Sequence, residues 1–384
     1  MNKLFKQFCF VLCLSGLSLS ALANNSKTTD NQVRGMENLK IQTGALVVWD
    51  YDDFDGVHNH GKERSALEIR RAQLQFKAKF GKNWESKFQI QIKNEVEWKD
   101  AYVKYKGWDN IDLTLGKAKE PFGLETLNSS KYTDTIEHAM ASQIFSPGRS
   151  YGVTLFGQID HFTFASGLYT VEQDDDNDET QAFALTGRIT YAPIIKQDAI
   201  IHLGLAGSYR DTRNNTYQLK GRLEVHQAEK FIRSAITPAD NQSLFGLEAA
   251  NVWGAFSFQT EYMRTFIHAK SNADIQDVTY SGYYIQDTYF LTGEHRAYKK
   301  GIFGKVKPRS KYGAWQLVSR LSQLDATGNN EGIEAKNMTF GVNCYLNHNI
   351  RLSANYINTD IKGPDAVPGE KEANALSFRV QYLF

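Results

Sequence analysis

The sequence has 384 residues, 41% of them hydrophobic, with 44 Lys and Arg against 43 Asp and Glu and a mean hydropathy of −0.46. The charge balance excludes a strongly basic nucleic-acid binder, and the apolar and aromatic content excludes a disordered chain. No apolar run after the N-terminal segment approaches the roughly 18 residues that a membrane-spanning helix requires, which excludes a helical membrane protein.

Residues 1–23 read as an export signal: Lys3 and Lys6 precede an apolar run from Phe8 to Leu19, and Ala21-Leu22-Ala23 is a small-x-small cleavage site. Cleavage makes Asn24 the first residue of an expected barrel domain over 24–384. It removes Cys9 and Cys13 and leaves Cys344 alone, so no internal disulfide is expected.

Segments in which apolar and polar residues alternate then recur, separated by Gly, Asn, Asp or Pro. They fall at 41–49, 66–80, 84–92, 95–107, 111–119 and 150–158, and then at 161–172, 180–193, 198–210 and 216–229. The rest are 242–252, 255–268, 276–292, 312–325, 335–346, 349–361 and 373–384. In the last of them Leu376, Phe378, Val380, Tyr382 and Phe384 share one face and Ser377, Arg379 and Gln381 the other. One face suits lipid and the other water. Each segment matches the roughly 9 to 11 residues that cross a bilayer at a tilt, and in lipid only a closed sheet leaves no unpaired edge. A transmembrane β-barrel is therefore expected rather than a soluble periplasmic sandwich.

Bacterial barrels of one chain have an even number of strands, short periplasmic turns and long external loops. The tight turns at 81–83, 107–110, Trp253-Gly254 and Asn347-His348 share the periplasmic end only if 211–241 is one long external loop. The segment 216–229 is then not a wall strand, and an all-β, 16-stranded antiparallel barrel with inward-folded loops remains. A lumen this wide is water-filled and would leak unless something narrows it. Two external stretches are long enough to do so, 120–149 as the constriction loop and 211–241 as a second inward-folded loop. The long basic connection 293–311 falls on the periplasmic side with no evident reason.

Inward parity collects Arg71, Lys77, Lys79, Lys87, Lys93, Lys104, Lys106, Arg188, Arg210, Arg320 and Arg379, against few acids, chiefly Asp100 and Glu261. A cationic lining in a narrow aqueous passage concentrates anions. Arg70 and Arg71 are adjacent, so both reach the lumen only if a bulge interrupts the alternation. Gln218, Lys220, Arg222, Glu224 and His226 share one face at period two and are expected to form rungs if that stretch hangs in the lumen. Ser129-Ser130-Lys131 places two hydroxyls beside an ammonium, a possible oxyanion clamp.

These residues carry a resemblance to the phosphate-selective porin O and P family. It rests on Glu68-Ile69-Arg70-Arg71-Ala72, on Gly116-Lys117 with Glu120-Pro121-Phe122-Gly123-Leu124-Glu125, and on Ser129-Ser130-Lys131. Tyr209-Arg210-Asp211, Gly282-Tyr283-Tyr284, Leu291-Thr292-Gly293-Glu294 with Arg296 and Tyr298-Lys299, Gly313-Ala314-Trp315, and Gln381-Tyr382-Leu383-Phe384 continue it. The resemblance implies a homotrimeric outer-membrane porin of a Gram-negative bacterium with an arginine ladder and a central oxyanion site. Carried over, the paired arginines of that site are Arg70 and Arg71, the paired serines Ser129 and Ser130, and the ladder includes Lys220 and Arg222. Thr126 stands where phosphate-selective members have Lys and His138 where they have Arg, while Gln218 and His226 replace two ladder arginines. The histidines would make anion attraction rise as pH falls toward about 6.5.

Gly148-Arg149-Ser150-Tyr151-Gly152 matches the serine-hydrolase pattern, but a loop precedes it and a strand follows, the reverse of what a nucleophile at Ser150 needs. Asp174-Asp175-Asp176-Asn177-Asp178-Glu179 lacks the later Glu of a calcium loop. His58-Asn59-His60 beside Asp52, Asp53 and Asp55 reads as a polar external loop. The expectation is passive passage of small, phosphate-like anions, with a general-diffusion porin of weak anion preference as the alternative and an outer-membrane hydrolase using Ser150 as a more remote one. Outer-membrane lipid and lipopolysaccharide are expected around the barrel, with no cofactor, metal site, nucleic-acid partner or enzymatic activity.

Overall fold

A computed structural model describes residues 39–58, 62–93, 95–171, 182–212, 216–271, 275–366 and 371–384. The export signal at 1–23, His60 and the acidic stretch 174–179 lie outside the described residues. Sixteen long antiparallel strands are found among those described. They are β1 (Lys40–Phe54), β2 (Arg64–Phe80), β3 (Trp84–Ile92), β4 (Val96–Trp108), β5 (Ile111–Lys119), β6 (Arg149–Ile159), β7 (Phe162–Val171) and β8 (Ala182–Ile195). The series continues with β9 (Ala199–Asp211), β10 (Thr237–Trp253), β11 (Phe256–Ala269), β12 (Val278–Phe290), β13 (Ala314–Asp325), β14 (Glu334–Tyr345), β15 (Ile350–Lys362) and β16 (Glu372–Leu383). Each pairs with its neighbours in sequence, and β16 pairs with β1 from Leu383 opposite Leu46 to Ala375 opposite Phe54, which closes the barrel.

The alternation of the sequence becomes the two surfaces of this wall. On β16, Leu376, Phe378 and Val380 are about 40% exposed on the outside while Ser377, Arg379 and Gln381 are buried inside. Phe183, Leu185, Ile189 and Tyr191 of β8 face out, with Thr186, Arg188 and Thr190 in. At the short-turn end the outer face carries aromatics: Phe80 stacks on Trp84, Trp84 lies 4.8 Å from Tyr105, and Tyr105 lies 5.2 Å from Trp108. Such girdles sit at the membrane interface.

Two of the irregularities in the pleat bear on the lumen. Val48 pairs with Arg71 and Trp49 with Ile69, so Arg70 is the unpaired extra residue and both arginines reach the lumen. Gln89 pairs with Asp100 and Ile90 with Trp98, which leaves Lys99 in the same position on β4.

The segment 216–229 is not in the wall. Only Thr216–Tyr217 and Lys220–Gly221 are extended, the latter against Ile232–Arg233. The expected regular face of rungs is absent because Glu224 adopts φ 65° and is buried, which ends the alternation that keeps Leu219, Gly221 and Leu223 inside. β10 starts at Thr237 rather than 242, with Pro238 at its first turn of pairing against Thr216.

Candidate functional site

Residues 120–148 leave β5 and fold into the barrel through two short helices, α1 (Leu124–Leu127) and α2 (Met140–Phe145). Inward arginines and amides of β11–β16 hold this loop. Glu261 accepts from the backbone of Leu124 and Glu125, both at 2.7 Å. Glu125 accepts from Arg320 at 3.2 Å and from the Ala139 amide at 3.0 Å. Asp134 accepts from Gln286 at 3.0 Å and Gln316 at 2.8 Å. Glu137 takes a bidentate pair from Arg70 (2.9 and 3.1 Å) and a third bond from Arg379 at 2.9 Å, while Arg379 also forks onto Asp50. Fork-on-carboxylate geometry is directional, so it fixes the loop in position as well as neutralising charge.

This revises the picture drawn from parity. Arg188, Arg210, Arg320 and Arg379 do face inward, but they do not line a free cationic surface. They are buried against Glu248, Glu120, Glu125 with Glu224, and Asp50 with Glu137 respectively. Inward acids are correspondingly more numerous than Asp100 and Glu261. Isolated buried arginines would carry a desolvation penalty, and only paired ones survive burial.

From the periplasmic end, residues 291–313 also rise into the lumen, which explains a length that the sequence left unaccounted for. The Phe303 amide donates to Asn128 Oδ1 at 2.8 Å, Arg296 meets Asp134 at 3.0 Å, and Arg188 donates to the Gly301 carbonyl at 2.9 Å. Gly301 has φ 77°, and a Cβ there would meet Thr163 and Thr190 hydroxyls at 3.0 Å, so only glycine suits this tip. The second external loop packs Leu219, Leu223 and Ile232 against Met140 and Phe145 of the first.

All this packing fills the β10–β16 side. What remains is a cavity of about 800 Å³ along β2–β8, lined by twelve Lys and Arg and three acids, Asp100, Asp112 and Glu120. Of the cations, Arg71, Lys104, Lys119, Lys131 and Lys299 have no carboxylate within ion-pairing distance among the described residues. Lys87 and Arg149 share Asp100, and Lys300 meets Asp112 at 3.2 Å. Register sets the level of the constriction: Gln381 donates to the Lys131 carbonyl and pairs with Val48, which pairs with Arg71. Lys131 and Arg71 therefore occupy one level of the barrel. Burial pulls the Lys131 ammonium below the ordinary lysine range, with Lys87 and Lys77 adding to the effect.

Of the residues singled out from sequence, Arg70, Arg71, Ser129, Ser130, Lys131 and His138 all line this cavity. Lys220, Arg222 and His226 are not among its lining. Arg222 donates to the Ala228 carbonyl at 2.9 Å, and His226 is hydrogen-bonded to Glu68. His138 lies 3.7 Å from Glu125, and Thr126 bonds Ser146 at 2.8 Å. Sequence reasoning missed Lys99, Lys119, Arg149 and Lys300 as lumen residues. For Lys99 the signal was present, since Lys99-Asp100 is the same adjacent charged pair that revealed the bulge at Arg70. Ser150 donates to Glu120 at 2.6 Å, which makes it part of a buried wall contact with Arg210 and Thr186.

The sequence matches the family described as "Phosphate-selective porin O and P" over residues 41–384. Porin O of Pseudomonas aeruginosa is 26% identical over 400 aligned positions, covering 93% of this chain and 90% of that one. Among solved structures, an anion-selective porin from Comamonas acidovorans superposes with a TM-score of 0.60 at 13% identity, covering 90% of this chain and all of the other. The outer membrane channel DcaP of Acinetobacter baumannii gives 0.59 at 10% identity, covering 90% of this chain and 98% of that one. At these identities the two structures establish the architecture alone.

Proposed function

This chain belongs to the phosphate-selective porin O and P family, and on that premise we propose that its cavity passes small oxyanions of the phosphate class. It is an anion porin of the Gram-negative outer membrane, a channel and not an enzyme. The observation that carries the oxyanion reading is the series of unpaired cations, Lys131, Arg71, Lys119, Lys104 and Lys299, along one side of an aqueous cavity that reaches from the external constriction to the periplasmic segment. Low-dielectric walls focus their field, so anions are concentrated and cations repelled. Ser129 and Ser130 would supply hydroxyl donors beside Lys131 and Arg71, and His138 would add a ring N–H to the same lining. Lys220, Arg222 and His226 would act as an approach surface on the second loop rather than as cavity ligands. In this reading residues 1–23 direct export and are removed, three copies assemble, and outer-membrane lipid with lipopolysaccharide surrounds the apolar wall.

Reversal potentials in planar bilayers under a salt gradient test the proposal, and a cation-selective or unselective pore would refute it. Titrating phosphate against chloride current then separates a specific site from general attraction. Arg71→Ala and Lys131→Ala should each lower anion selectivity; unchanged selectivity in both removes these side chains from the mechanism. The neutralisation of Arg70 by Glu137 favours one alternative, a general-diffusion porin with weak anion preference. That alternative predicts chloride current insensitive to phosphate.

A further inference from the structure

Lys119 is the last residue of β5, and the chain turns into the constriction loop immediately after it. Its Nζ donates to the Thr126 carbonyl and, at 3.0 Å, to the Asn128 carbonyl at the end of α1. An ammonium has three donors, so one remains. The side chain lines the cavity together with Arg71, Ser129 and Ser130. Neither Lys119 nor Arg71 has a carboxylate within ion-pairing distance among the described residues, and Asp100 on the adjoining wall is already shared by Lys87 and Arg149. Arg70, by contrast, has its charge offset by the bidentate bond to Glu137. The Ser129 hydroxyl lines the same cavity and, among the described residues, accepts only from the Lys131 amide, at 3.5 Å, which leaves its O–H free to donate.

We propose that Lys119 and Arg71 form the cationic half of the oxyanion site, facing the Ser129 and Ser130 hydroxyls, with Lys119 supplying the charge that Thr126 withholds. Two unpaired cations in one confined cavity repel each other, and a multiply charged oxyanion between them relieves that repulsion while accepting from both hydroxyls. Chloride has one charge and offers less of both. The assignment rests on the anion-porin reading above and names a residue that the family correspondence leaves out.

The test is block of chloride current by inorganic phosphate through the full barrel in planar bilayers. Lys119→Gln keeps an N–H for the Asn128 carbonyl but removes the charge. The half-blocking phosphate concentration should rise about tenfold or more, as expected for losing a charge-assisted hydrogen bond. Lys119→Arg should recover most of the block. If Lys119→Gln leaves phosphate block unchanged in a parent that is anion-selective, Lys119 only ties down the loop and the proposal fails while the porin reading stands. If the variant raises conductance to all ions without shifting the block, the role is likewise structural and the proposal fails. A parent with no anion preference would instead remove the reading beneath it.

Discussion

Glu137 is a single carboxylate shared by two guanidiniums, Arg70 from the bulge on β2 and Arg379 from β16, and all three are largely withdrawn from water. Those arginines hold its carboxyl well below the usual glutamate range although burial alone would raise it. Glu137→Gln leaves Arg70 without its carboxylate and Arg379 with Asp50 alone, a loss on the order of 3 to 5 kcal/mol. Amides of residues 120–148 should then exchange hydrogen faster, read by mass spectrometry. Glu125 behaves alike: burial would raise its carboxyl, but His138 and Arg320 bring it down to about 2. A depressed carboxyl contributes stability that is complete above its ordinary value near 4.5 and disappears as pH falls toward about 2. Single-channel conductance should therefore rise over that window as the loop loosens. The half-buried Lys131 ammonium has the opposite sign and should discharge below the usual lysine range, so anion selectivity should fall as pH climbs toward that range. Lys131→Arg should weaken the decline, because a guanidinium stays charged. Arg70, Arg71 and the Ser129–Lys131 run were legible in the sequence as charges and hydroxyls at telling spacings. Which arginine is neutralised was not, because Glu137 reaches Arg70 across 67 residues of chain and only the folded loop brings them together.

At the scale of elements, three segments narrow one barrel, two from the external end and residues 291–313 from the periplasm. The periplasmic segment contributes Lys299 and Lys300 to the cavity and props α1 through the bond from Phe303 to Asn128. Replacing residues 295–309 by a tight turn should give larger unitary conductance with weaker anion preference in planar bilayers. The strands were legible because their two faces meet different solvents, so the period of two is enforced along the whole wall. The interior segments were not, since their side chains pack on neighbours from every direction and follow no period. The 216–229 stretch shows the difference: alternation persists through Leu223 and stops where Glu224 turns in to meet Arg320.

The molecule as a whole is a closed sheet whose outer face is apolar, with aromatic rings gathered at its short-turn end. Phe378→Arg places a cation on that face and should cost about 2 to 4 kcal/mol if it lies near the midplane, measured by reversible folding into lipid vesicles. Gln75→Arg on β2 faces the aqueous cavity and should be tolerated far better. Arg379 carries a further implication, because it joins β16 to Asp50 of β1 across 329 residues and to Glu137 across 242. The clamp on the constriction thus includes a side chain from the strand that meets β1 at the seam. Pairing of that strand with β1 removes the last free edges of the sheet and sets Arg379 against Asp50, so wall and clamp are completed by one contact.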